Sequence, residues 1–143
     1  MTAAYDQSCV FCRIARGEVE GVIVYQDPRV LALMDLHPAT RGHLLVMPKE
    51  HIKDIFVVSE TLGASIMEVT VRLARALRDT LAPAGLNLIQ ANGAAAGQTI
   101  GHFHLHLVPR YSGDRVTLEF GHGGEAAPLS DLQRVAALIR ADL

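Results

Sequence analysis

The stretch His102-Phe103-His104-Leu105-His106-Leu107 alternates imidazoles with large apolar side chains. A β-strand has a side-chain period of two. The alternation therefore puts His102, His104 and His106 on one exposed face and Phe103, Leu105 and Leu107 on the other, toward a core. Three imidazoles on one face suit a site better than a core, because histidine can be nucleophile, acid, base or metal ligand near neutral pH. A His-x-His step can place two imidazoles on one ion. The third lies ~13 Å from the first at a rise of about 3.3 Å per residue, so one ion does not easily take all three. A phosphate chain fits the row better. Just upstream, Asn92-Gly-Ala-Ala-Ala-Gly-Gln98 carries no bulk near its backbone. Its amides can form an anion-binding concavity, with Gln98 and Thr99 adding side-chain donors.

Outward from this stretch the pattern is that of an α+β domain. Val22–Tyr25 and Val30–Asp35 flank the turn Gln26-Asp-Pro-Arg29, and His43–Met47 follows the turn His37-Pro-Ala-Thr-Arg-Gly42. These three runs read as an antiparallel meander. From Ser59 to about Leu81, the residues Leu62, Ile66, Val69, Leu73 and Leu77 recur at steps of three to four, one stripe of a helix. Leu86–Ala91 returns to period two. Ser112–Pro128 is glycine-rich and reads as a loop with one short strand at Val116–Phe120. Ser130-Asp-Leu-Gln133 reads as a capping box that opens a C-terminal helix reaching about Arg140. The expectation is a single domain over residues 1–143, with about five antiparallel strands, one long helix on the sheet and a C-terminal helix.

Composition narrows the functional classes. Half of the 143 residues are hydrophobic, yet no apolar run approaches the ~18 needed to span a bilayer. The start Met1-Thr-Ala-Ala-Tyr-Asp6 has neither a basic segment nor an apolar one, unlike a signal peptide. A net charge of −2, with the signs interspersed, argues against nucleic-acid binding through a basic face. Two cysteines only three positions apart do not make an extracellular disulfide framework, so a cytoplasmic protein is expected. Cys9-x-x-Cys12 leaves three readings open: a redox pair, two buried reduced thiols, or two ligands of a zinc ion that needs two more.

The run Gly97-Gln-Thr-Ile-Gly-His-Phe-His-Leu-His-Leu-Val-Pro-Arg110 resembles the signature of the histidine triad (HIT) family of nucleotidyl hydrolases and transferases. The resemblance extends upstream through Asp35, Arg41-Gly-His-Leu-Leu-Val-Met-Pro-Lys-Glu-His51 and Cys9-Val-Phe-Cys12, and covers roughly residues 9–111. It implies that His104 attacks the α-phosphorus of a nucleoside 5′-phosphate derivative, a phosphoramidate or a dinucleoside polyphosphate, to form a nucleotidyl-histidine intermediate. A neutral imidazole can do this if its other nitrogen is tied up as a donor. By the same resemblance His106 stabilises phosphoryl charge, His43 orients the triad, and Gln98 and Thr99 steer the leaving group and the attacking water.

The resemblance further implies that Asp35 accepts both ribose hydroxyls, that Asn92 makes a polar contact near the phosphates, and that Val10, Phe11, Ile14, Val19, Leu33 and Leu36 form a purine slot. Ordinary core for these six, and a simple turn residue for Asp35, are the alternatives. Bacterial-type relatives that this chain resembles complete a structural zinc site from Cys9, Cys12, His51 and His102. That set would divide the histidine row into one metal anchor and two catalytic groups. Family members of this size commonly pair as homodimers whose sheets join, here through the long helix and the Leu86–Ala91 strand. The remaining histidines, His37 and His122, read as solvated loop residues. Two further readings stay open: a nucleotide-binding sensor or scaffold without turnover, and a hydrolase using triad histidines around an open metal.

Overall fold

The computed structural model describes residues 4–118 and 125–143. In chain order the elements are α1 (Val10–Ala15), β1 (Ile23–Gln26), β2 (Val30–Met34), β3 (Leu44–Pro48), α2 (Glu60–Leu81), β4 (Gly85–Gln90), a 3₁₀ turn (Ala94–Ala96), β5 (Leu105–Arg110) and α3 (Leu129–Ala141). The strands form one antiparallel sheet in the order β1-β2-β3-β5-β4, which leaves β1 and β4 at the edges. The expected meander and the five-stranded sheet are both present.

The central strands β2 and β3 are buried on both faces, so they read as continuous apolar runs. On one face Val30, Ala32, Leu44, Val46, Phe103 and Leu107 meet the α2 stripe of Leu62, Ile66, Val69, Leu73 and Leu77. On the other face Leu31, Leu33, Leu45 and Met47 meet Cys9, Phe11 and Cys12 around α1. The helix α2 starts where Ser59 Oγ accepts the Leu62 N–H at 3.2 Å, and it ends at Ala82, left-handed at φ 46°, just before Pro83. Gly42, at φ +90°, turns the chain into β3 beneath Leu81 and Pro109, where a side chain would collide. No helix among the described residues is long and apolar enough to cross a membrane.

Several local expectations are corrected. The histidine strand begins only at Leu105; His102 and His104 lie in the run-in, and both are buried rather than exposed. The cause is a non-ladder bond: the Phe103 N–H donates to Ile52 O at 2.6 Å, drawing the run-in against the segment after β3. The helix α3 begins one residue before Ser130, at Leu129, so Ser130 lies inside the first turn and caps nothing; the Asp131 and Leu132 N–H groups donate to Pro128 O. The helix α1 has no counterpart in the periodicity reading, which is blind to six residues. Residues 116–118 form no strand, and the rest of that expected strand lies outside the described residues, as does His122. His37 is an exposed turn residue, as expected.

Candidate active site and metal centre

The site is built where β3 and β5 run side by side, with Leu45 opposite His106. His43 immediately precedes β3, and Asp35 follows β2 with its N–H donating to His43 O at 3.0 Å. This places Asp35, His43 and His106 together, with the His104 ring 5.0 Å from the His106 ring and the His43 ring 5.1 Å from it.

Hydrogen bonds to groups of fixed polarity determine which nitrogen of each imidazole holds the proton. His104 Nδ1 lies 2.7 Å from the carbonyl oxygen of His102. A carbonyl only accepts, so Nδ1 is the donor and the neutral ring keeps its lone pair on Nε2. His43 Nδ1 accepts the Ala39 N–H at 2.9 Å, so its proton is on Nε2. That Nε2–H faces His106 Nδ1 at 2.9 Å, which makes His106 an acceptor there and a donor at Nε2. The cluster thus presents one nucleophilic nitrogen beside one N–H donor. Phe11 sets its ring edge-on against His104 and His102, at centroid distances of 5.2 and 5.7 Å. Burial pushes His106 down to about 4, aided by the neighbouring His104 and His43. Burial likewise lowers His43, and Asp35 opposes the shift. Both rings are therefore neutral at neutral pH, as their hydrogen bonds require.

Four more side chains converge at the start of α1. Cys9 precedes the helix, Cys12 lies in its first turn, and their thiols face His102 Nδ1 at 3.4 and 3.7 Å; His51 Nδ1 is 3.3 Å from the Cys12 thiol. His102 Nε2–H donates to Pro48 O at 2.8 Å, which leaves the Nδ1 lone pair aimed at the sulfurs. For Zn–S of about 2.3 Å and Zn–N of about 2.0–2.1 Å, a tetrahedron has S···N edges of roughly 3.5 Å, so the donor set fits that ion. Burial pushes the Cys12 thiol up and His102 down to about 4. Asp6 Oδ2 lies 3.9 Å from His51 Nε2, an outer partner that sequence reading did not suggest.

Asp35, His43 and His106 also have metal-like spacing. Their hydrogen bonds argue against an ion: His43 Nε2 carries the ring's proton and has no lone pair until the Ala39 bond is given up.

The loop upstream of the triad differs from the expected anion cradle. The N–H groups of Ala96 and Gln98 donate to Gly93 O, that of Gly97 donates to Ala94 O, and that of Gly93 donates to Gln98 Oε1. Those four amides are already engaged. Gln98 Nε2 donates to Lys53 O and Ile100 O, so this amide knits the loop to the segment after β3. Asn92 Oδ1 accepts the Ile55 N–H at 2.8 Å and pairs with the Gln90 amide, a second tie to that segment. Thr99 is exposed. Of the six apolar residues, Phe11 and Leu33 are buried in the α1-side core with Ile14 packed against it, whereas Val10, Val19 and Leu36 lie outside that cluster. Leu36 is 85% exposed.

Comparison with known proteins bears on the family and the fold. Residues 16–113 match the family model of the HIT domain. A HIT family protein from Bacillus anthracis superposes with a TM-score of 0.91 at 37% identity, covering 99% of both chains. A Zn-bound histidine triad family protein from Mycobacterium smegmatis matches at 37% identity and a TM-score of 0.73, over 94% of this chain and 96% of that one. A histidine triad nucleotide-binding protein from Candida albicans matches at 25% identity and a TM-score of 0.82, over 94% of this chain and 96% of that one.

The depressed pKa of His106 has a definite sign in stability. The folded chain keeps this ring neutral down to about 4, while the unfolded chain protonates it near 6.5. Its contribution is complete above about 6.5 and is lost as pH falls toward 4; His43 acts in the same direction. Urea unfolding at pH values between these limits should show stability declining with acidification, before the carboxylates titrate. The decline should be shallower in His106→Gln. An equal slope in both proteins would show that His106 does not carry it.

Proposed function

The chain belongs to the HIT family, and from that membership we propose that it is a nucleotidyl hydrolase or transferase acting on nucleoside 5′-phosphate derivatives, phosphoramidates or dinucleoside polyphosphates, at the α-phosphorus. One observation carries this reading: the bond from His104 Nδ1–H to the His102 carbonyl, which leaves a lone pair on Nε2 without any need for a base.

His104 Nε2 forms the N–P bond as the bond from phosphorus to the leaving group breaks. The leaving group departs with the electron pair, and the nucleotidyl-imidazole keeps its Nδ1–H on the carbonyl. Water then attacks phosphorus and His104 leaves with the N–P pair. Over both steps the water oxygen ends on the mononucleotide and water supplies the proton that the leaving group takes. His106 Nε2–H stabilises a non-bridging phosphoryl oxygen, in the orientation that His43 holds. Asp35 accepts the ribose hydroxyls. Val10, Phe11, Ile14, Val19, Leu33 and Leu36 line the purine slot, with Phe11 and Leu33 at its buried end and Ile14 packed against them. Gln98 and Thr99 steer the leaving group and then the attacking water, and Asn92 makes a polar contact near the phosphates, from a loop that the Gln98 and Asn92 side chains tie to the segment after β3.

We further propose that Cys9, Cys12, His51 and His102 hold a structural zinc ion. The donor spacing and the Zn-bound relative support it, and four protein ligands leave no position for a reacting water. A homodimer fits the edge strand β4, where Leu88 is 47% exposed, and a groove of ≈ 440 Å³ between α2 and β4 lined by Val71, Ala74, Leu77, Pro83 and Leu86. Pairing β4 with its symmetry mate would cover an open sheet edge. Thiolate ligation of zinc suits a reducing cytoplasm.

His104→Asn should abolish mononucleotide release from adenosine 5′-phosphoramidate while mononucleotide affinity stays within a few-fold. Mass spectrometry of the wild type quenched without acid should find the nucleotidyl adduct on His104. Substantial turnover by His104→Asn would end the mechanism, and binding without turnover by the wild type would favour a sensor.

The zinc reading predicts about one zinc per chain in protein purified without chelator. Cys12→Ser should lose the ion and unfold at a lower temperature. Metal analysis finding no zinc in the wild type would count against the site.

A further inference from the structure

Asp35 does more than face a ribose. Its Oδ1 accepts the His37 N–H at 2.8 Å, which fixes the carboxylate, and its Oδ2 lies 3.4 Å from His43 Nε2 and 4.0 Å from His106 Nδ1. The single proton on His43 Nε2 therefore has two acceptors within reach: the His106 imidazole at 2.9 Å and the Asp35 carboxylate. Distance favours the imidazole. Charge favours the carboxylate, since charge-assisted hydrogen bonds are roughly twice as strong as neutral ones. The side chains of His43 and Asp35 are only 8% and 18% exposed, so water competes little for this proton.

The two outcomes differ chemically. Donation to His106 Nδ1 pins His106 as the tautomer with its N–H on Nε2, the donor a phosphoryl oxygen needs. Donation to Asp35 leaves His106 Nδ1 without a partner, and the ring is then free to carry its proton on that side. We propose that Asp35 is a positioning residue that couples ribose occupancy to the orientation of the His106 donor. Ribose hydroxyls donating to the carboxylate satisfy its charge, and the His43 N–H then goes to His106. When the hydroxyls are missing, the unsatisfied carboxylate at 3.4 Å competes for that N–H and weakens, without replacing, the 2.9 Å bond to His106. This coupling rests on the nucleotidyl-transfer reading above, and it makes the sugar a determinant of turnover rate as well as of binding.

The test is a comparison of kcat and KM for adenosine 5′-phosphoramidate and its 2′,3′-dideoxy counterpart, with wild-type protein and Asp35→Ala. For the wild type, kcat should fall roughly tenfold or more on loss of the hydroxyls, beyond any rise in KM, as expected for a hydrogen bond to a charged group. In Asp35→Ala the ratio of the two kcat values should collapse toward one, and kcat on the dideoxy substrate should exceed that of the wild type. A merely structural or merely binding Asp35 does not give that inversion. Equal wild-type kcat values, with the whole penalty in KM, would overturn the coupling even if Asp35→Ala does not fold. So would an undiminished kcat ratio in Asp35→Ala. Absence of mononucleotide release from either substrate would instead overturn the proposed function, and the coupling with it.

Discussion

The hydrogen bond from His104 Nδ1 to the carbonyl of His102 is the constraint on which the rest of the site depends. A free imidazole shares its proton between two nitrogens, and only the tautomer with an open Nε2 can attack phosphorus. The fold fixes the choice within the triad itself, because the His-x-His step brings the ring of the third residue onto the backbone of the first. That backbone is in turn held by its own side chain. The His102 ring donates to Pro48 O at the end of β3 and turns its other nitrogen to the two thiols. Sheet, proposed metal centre and proposed nucleophile are thus linked in series. A hydrogen bond of this kind contributes only about 1 kcal/mol net to stability, so its importance is in orientation.

The two faces of the sheet divide the labour. The α2 face is a long apolar stripe against alternate residues of β2, β3 and β5, and it carries most of the core. The α1 face is smaller and mixes Leu31, Leu33, Leu45 and Met47 with the cysteines and Phe11, on which the histidines lean. Buried polar side chains are tolerated there because they are satisfied: among the described residues no buried side-chain nitrogen or oxygen lacks a partner.

Side-chain pattern made much of this legible. Alternation at 102–107 placed the triad and the three-to-four spacing of Leu62 through Leu77 placed α2, while the set Cys9, Cys12, His51 and His102, which came from the family resemblance and not from spacing, does come together in space. What escaped the sequence is mostly backbone chemistry. The Ala39 N–H that polarises His43 and the carbonyls of His102 and Pro48 belong to every residue type and leave no signal. For the same reason the small residues of the 93–97 loop suggested open amides, whereas the Gly93, Ala96 and Gly97 N–H groups are engaged within the loop and with Gln98. At Leu129–Ser130, a capping pattern one residue inside the helix misled because Pro128 already ends the preceding backbone in an extended conformation.

Protonation of the imidazole nitrogens tests the account most directly, by long-range proton–nitrogen correlation spectra of nitrogen-15-labelled protein at neutral pH. The account predicts His104 protonated at Nδ1 and bare at Nε2, with His43 in the opposite tautomer, protonated at Nε2. A His104 ring protonated at Nε2, or exchanging its proton between both nitrogens, would contradict it.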